Sequence, residues 1–149
     1  MEAKEIYGKL ENKFPGQVSG FQGDVMDPNL RVDPQAIVEV CRYLRDDPGL
    51  RFEVLSDLTA LDLPKENKLQ VVYHLYSYSH RHQIVLKADL SRENPQISTM
   101  ERVWKVANWL EREAFDLFGI FFEGHSDLRR ILLPEDWVGY PLRKDYVEQ

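Results

Sequence analysis

Apolar and polar residues follow two distinct rhythms along this chain, and punctuated points separate them. Ile6, Leu10 and Phe14 recur at helical spacing in a charged segment, which predicts a helix over residues 2–13 ended by Pro15-Gly16. Glycines and Asp27-Pro28 punctuate residues 16–32, leaving room for short strands at 18–21 and 30–32. A second helix is better marked. Asp33 offers a capping carboxylate, Pro34 suits a first turn whose N–H groups lack partners anyway, and Ile37, Val40, Cys41 and Leu44 make one apolar face. Pro48-Gly49 ends it.

The period then shortens to two. Residues 52–61, 69–78 and 82–90 read as an antiparallel meander with turns near 64–68 and 78–82, and Ile84, Leu86 and Ala88 carry its alternation. One sheet face is expected to lie on helices, the other to meet solvent or a partner. A third helical region is predicted from Ser98 to Phe118. Ser98-Thr99-Met100-Glu101 has capping-box spacing, and Gly119 is a sensible terminator. The apolar positions Val103, Val106, Trp109, Leu110, Phe115 and Leu117 rotate too far for one stripe, so a break is expected inside it. Beyond Gly124 no period survives, yet the segment has too many large side chains for an idle linker. The elements predict an α+β fold: N-terminal helices packed on a mainly antiparallel sheet, a C-terminal helix, then an extended irregular segment. Residues 1–124 are expected to form the compact core, and 125–149 to pack on partner subunits.

Composition narrows the function classes. A chain of 149 residues is one domain, and 25 acidic against 19 basic residues argue against a phosphate-backbone binder. Cys41, the only cysteine, cannot form an intrachain disulfide or hold a cluster by itself, and its apolar neighbours predict a buried thiol. No 18-residue apolar run occurs, the first residues do not resemble a signal peptide, and no GxGxxG or P-loop appears. A cytosolic chain follows as the expectation.

Glu111, Arg112, Glu113 and Asp116 form the sharpest ionisable cluster. Arg112 and Asp116 are an i,i+4 pair, and Glu113 and Asp116 are i,i+3 neighbours. Two of the carboxylates can be read as a general acid and base or as metal ligands. The blander reading is a charged helix face turned to solvent or a partner. His80 and His82 share strand parity, but no nearby cysteine or carboxylate completes a metal site. His125 lies beside the charged end of the chain. The basic pairs Arg129-Arg130 and Arg143-Lys144 sit among carboxylates, which favours ion pairs over nucleic acid. Trp104, Trp109 and Trp137 are read as core or as interface anchors.

The run Glu111-Arg112-Glu113-Ala114-Phe115-Asp116-Leu117-Phe118-Gly119-Ile120, then His125, then Leu128-Arg129-Arg130-Ile131-Leu132, resembles the signature of the C subunit of respiratory complex I. This is the 30-kDa-type subunit family of NADH:quinone oxidoreductase. The resemblance continues through Pro134-Glu135-Asp136-Trp137, Gly139 and Pro141-Leu142-Arg143-Lys144-Asp145-Tyr146, and upstream through Asp57-Leu58-Thr59-Ala60, Val72-Tyr73-His74-Leu75-Tyr76 and Ala107-Asn108-Trp109. Ser126 and Val147 depart from it, standing where many members have proline.

The resemblance implies a non-catalytic structural and assembly subunit, with no catalytic, cofactor or metal site of its own. Flavin and iron–sulfur clusters would sit in partner subunits, and this chain would pack beside the D, B and I subunits. It would be peripheral to the membrane, on the cytoplasmic face, in a complex coupling electron transfer from NADH to quinone with ion translocation. A related F420H2-, ferredoxin- or hydrogenase-linked complex is the alternative. The chain is also expected to lack the long extension of some relatives and any fusion to the D subunit. Its expected interface residues are Glu111, Arg112, Glu113, Asp116, His125, Arg129, Arg130, Trp137, Arg143, Lys144 and Tyr146.

Overall fold

In a computed structural model that describes residues 1–147, the meander forms the centre of a five-stranded sheet. Strands β3 (Val54–Leu63), β4 (Lys68–Ser77) and β5 (His82–Ser91) pair antiparallel in succession. Leu69, Val71, Tyr73 and Leu75 of β4 share one face with Ile84, Leu86, Ala88 and Leu90 of β5, and all eight are buried. Strand β3 keeps that face by a register shift between Leu55 and Asp57, which turns both Leu55 and Leu58 inward although they are three residues apart.

Helices α1 (Ala3–Lys13) and α2 (Ile37–Asp46) bury their apolar faces in the same core, through Ile6 and Leu10 and through Ile37, Val40, Cys41 and Leu44. Each fully buried aliphatic side chain contributes about 1.5–3 kcal/mol. Asp33 Oδ1 accepts the Gln35 N–H at 3.0 Å, and Pro34–Ala36 form a short 3-10 turn ahead of α2. Burial, with Glu111 nearby, pushes the Cys41 thiol well above its usual range, so the cysteine is inert.

Strand β1 (Val18–Gln22) and β2 (Asn29–Val32) make an antiparallel hairpin. The hairpin joins the meander through a parallel pairing of β2 with β5, giving the order β1-β2-β5-β4-β3. A second parallel pair, β6 (Gln96–Ser98) and β7 (Phe121–Glu123), encloses α3 (Ala107–Phe118) as its crossover helix.

The third helical region is therefore corrected. Ser98 lies in β6 and does not cap a helix. Thr99 Oγ1 accepts the Glu101 N–H at 3.0 Å, residues 101–103 turn, and the helix begins only at Ala107. The parallel strand takes the backbone that the capping box would have used. Helix α3 lies against β3 and ends at Gly119, which has φ +77°.

Candidate functional site: the end of helix α3 and the segment that covers it

A helix leaves its last four carbonyls without intrahelical donors. At the end of α3 the chain supplies all four. Gly119 N–H donates to Phe115 O at 2.8 Å, Arg130 Nη1 to Asp116 O at 2.9 Å, Leu142 N–H to Leu117 O at 3.0 Å and Arg143 Nε to Phe118 O at 2.7 Å. Three of these donors come from the irregular C-terminal segment. Arginine side chains also complement the negative end of the helix dipole.

Asp116 is the fixed point. Its side chain is 0% exposed; Oδ1 accepts Arg130 Nη1 at 2.7 Å, and Oδ2 accepts the N–H groups of Ile131, Leu132 and Leu133 at 3.1, 2.7 and 3.0 Å. Burial alone would raise the Asp116 pKa, but the Arg130 guanidinium and the three N–H groups outweigh it and hold the carboxyl below its ordinary value. Arg130 continues outward, donating Nη2 to Trp137 O at 3.1 Å and Gly139 O at 2.8 Å. Its guanidinium and that of Arg143 lie 5.1 and 5.6 Å from the Tyr140 ring, whose edge meets Phe115. Gly119 serves twice here. Its φ favours glycine, and a Cβ there would stand 2.7 Å from the Tyr140 ring.

Three further carboxylates hold the region. Asp62, at the end of β3, accepts Arg92 Nε and Nη2 at 2.8 and 2.9 Å and the Lys144 N–H at 2.6 Å. Glu101 accepts Ser126 Oγ–H at 2.5 Å, Ser126 N–H at 3.0 Å and Asn108 Nδ2 at 2.7 Å, and these bonds pull its pKa down to about 2. His125 Nδ1 accepts the Asp127 N–H at 3.0 Å, so Nε2 carries the proton donated to Asn108 O at 3.0 Å. Glu111, fully buried, accepts the Met100 N–H at 2.7 Å and the Thr99 hydroxyl. Burial outweighs those two bonds and pushes Glu111 up to about 7.

The expected interface residues thus divide. Glu111, Asp116, Arg130 and Arg143 are spent on the chain's own fold, and His125 joins them by tying Asn108 to Asp127. The reading of α3 as a charged face turned outward is corrected for Glu111 and Asp116, both 0% exposed. The i,i+4 pair of Arg112 with Asp116 does not form, because Asp116 faces inward to Arg130. Arg112 instead donates to Arg129 O at 3.3 Å and lies 5.5 Å from the Trp109 ring. Glu113 is half-buried, whereas Asp116 is buried and bonded to Arg130 and three backbone N–H groups, so the two are not placed alike as a carboxylate pair. Arg129, Trp137 and the Lys144 side chain are exposed, and Tyr146 packs on Gly139. Asp62, Arg92 and Tyr140 carry no signal in the sequence, and Thr99, Asn108 and Ser126 none for this role, since only the folded chain brings them together.

Among the described residues, no group of three or more His, Cys, Asp or Glu side chains is placed to hold a metal ion. His80 and His82 donate to the Pro48 and Leu50 carbonyls, each at 2.7 Å. No helix among them is long and apolar enough to cross a membrane.

The chain is thus a small α+β core with a C-terminal segment latched to it through Asp116, Asp62 and Glu101. The sequence pattern of the family described as "Respiratory-chain NADH dehydrogenase, 30 Kd subunit" matches residues 30–149, and the chain belongs to that family. It is 46% identical over 144 residues to the NADH-quinone oxidoreductase C subunit of Roseiflexus castenholzii, covering 94% of this chain and 81% of the relative. The C subunit of Chlorobium phaeobacteroides is 41% identical over 150 residues, covering 99% and 90%. Among solved structures, a trypsin-resistant fragment (1–134) of Nqo5 superposes with a TM-score of 0.70 at 27% identity, covering 86% of this chain and 100% of that one. A chain of the membrane-bound sulfane sulfur reductase, an archaeal respiratory membrane complex, gives 0.80 at 25% identity, covering 97% and 85%.

Proposed function

We propose that this chain is a structural and assembly subunit in the hydrophilic arm of an NADH:quinone oxidoreductase, packed beside the D, B and I subunits on the cytoplasmic face of the membrane. Partner subunits carry the flavin and iron–sulfur clusters and perform the electron transfer from NADH to quinone that drives ion translocation. The observation that carries this reading is the 46% identity to a C subunit of that enzyme over 94% of the chain. The geometry supports it, because Glu111, Asp116, Arg130 and Arg143 of the signature are committed to hydrogen bonds that shape the surface. Residues 1–124 supply the core, and residues 125–149 present Leu132, Trp137, Val138, Leu142 and Val147 to a neighbour, all well exposed in the isolated chain. Glu148 and Gln149 of that segment lie outside the described residues.

Native purification from the source organism tests the reading. The chain should appear with the D and B subunits in fixed ratio, and recovery only as a free monomer contradicts it. The likeness to a chain of the sulfane sulfur reductase, an archaeal respiratory membrane complex, over 97% of this chain favours a second reading: the equivalent scaffold subunit of a related F420H2-, ferredoxin- or hydrogenase-linked membrane complex. Co-purification of the NADH-input E and F subunits supports the first reading, and their absence from an otherwise intact complex supports the second.

A further inference from the structure

The protein carries a net charge of −6, yet one strip of its surface holds cations that enter no ion pair among the described residues. Arg42 of α2 and Arg102 line one groove, and Arg102 and Lys105 line the adjoining cleft together with Asn108. Lys105 lies in the turn just before α3, and Trp109 and Arg112, three residues apart on the helix, continue the strip along it. None of Arg42, Arg102, Lys105 and Arg112 enters an ion pair among the described residues. Two large apolar side chains lie within the strip: Val106 is 49% exposed and Trp109 53%. Trp109 is held beneath the Arg112 guanidinium, so the aromatic ring and the cation form one preset surface.

No carboxylate nearby forms an ion pair with these cations among the described residues. Glu101 is saturated by Ser126 and Asn108, and Asp46 is taken by Arg45. Glu123 lines the Arg42 groove and Glu113 follows Arg112, both without an ion pair among the described residues. Unpaired cations around an exposed tryptophan match the composition of protein-binding hot spots, and charge complementarity sets the sign of the partner.

We propose that the strip Arg42–Arg102–Lys105–Trp109–Arg112 docks an acidic segment of another protein subunit. Carboxylates of that segment engage the guanidinium and ammonium groups, and an apolar side chain covers Trp109. This rests on the subunit reading above and names the chemistry of one contact within it. The partner is a polypeptide, because Val106 and Trp109 interrupt the cations with apolar area that an extended peptide covers.

The test uses the assembled complex. A photo-cross-linker placed at Val106, which leaves the cations and Trp109 intact, should capture another subunit's peptide bearing Asp or Glu. Retention of R102E/K105E in the complex should fall about tenfold at moderate salt, and wild-type retention should fall only at higher salt. The thermal midpoint of the isolated variant should match wild type, which separates docking from folding. Cross-links confined to this chain or to lipid overturn the proposal, as does wild-type retention of the variant. So does charge-dependent binding of the full chain to phosphatidylserine vesicles that R102E/K105E abolishes. If wild type itself never co-purifies with other subunits, the subunit reading fails, and this inference fails with it.

Discussion

The sheet core and the C-terminal segment are ordered by opposite chemistry. The core is held by aliphatic burial: Leu69, Val71, Leu75, Ile84, Leu86 and Ala88 have almost no exposed surface, and no single one of them is indispensable to the pattern. The segment after Gly124 buries little and has no regular backbone. It is held by directed bonds to Asp116, Asp62 and Glu101 and to the last carbonyls of α3. Apolar burial is distributed and non-directional, whereas a carboxylate taking several donors concentrates stability in one side chain. The difference teaches that Asp116, Arg130 and Arg143 of the charged signature act first within their own chain.

Breaking the anchor is the sharpest way to separate the two regions. Asp116→Ala leaves Arg130 and three backbone N–H groups without their acceptor, and loss of one partner of a buried pair costs about 3–5 kcal/mol. Hydrogen exchange should show residues 130–143 losing protection while β4 and β5 keep theirs. A core truncation behaves differently. Leu86→Ala should cost about 3 kcal/mol and lower the midpoint for sheet and segment together in thermal unfolding. If both variants unfold the same regions, the comparison fails.

Much of the core was legible because its periods are local. Asp33-Pro34 with Ile37, Val40, Cys41 and Leu44 marked α2, a strand-like run marked β4, and alternation marked β5, both within a residue at each end. Gly119 was legible as a helix end, though its second role beneath Tyr140 was not. What escaped was non-local. Nothing in Asn29–Val32 says that it pairs parallel with β5, and Ser98-Thr99-Met100-Glu101 satisfies a helix rule that β6 overrides. Helical spacing placed Arg112 beside Asp116. It gave no sign that Arg130, fourteen residues on in the chain, would take the carboxylate instead. Ser126, which departs from the family pattern, proves to be a ligand of Glu101.

Smaller effects refine the comparison. Gly119→Ala combines a positive φ with a clash against Tyr140 and should cost about 2 kcal/mol, read by chemical denaturation, with the segment again exchanging first. Glu111 and Glu101 should give opposite pH slopes. Glu111 rises from 4.5 to about 7, so the folded chain holds its proton more tightly than the unfolded chain. Its contribution is therefore full below pH 4.5 and is lost as pH rises to about 7, a slope that Glu111→Gln should remove. Glu101 falls from 4.5 to about 2, so its contribution is present above 4.5 and is lost as pH drops toward 2. Denaturation midpoints across that range, for wild type and for Glu101→Gln, check the sign.

The most direct measurement is amide hydrogen exchange at Ile131, Leu132 and Leu133 in the isolated chain, for wild type and Asp116→Asn. The amide side chain cannot accept both from Arg130 and from all three N–H groups, because a donor nitrogen has replaced one of the two oxygens. Slow exchange in wild type and fast exchange in the variant, with β4 and β5 amides unchanged, is the predicted result. Equally fast exchange at the three amides in both proteins would contradict a C-terminal segment latched by Asp116.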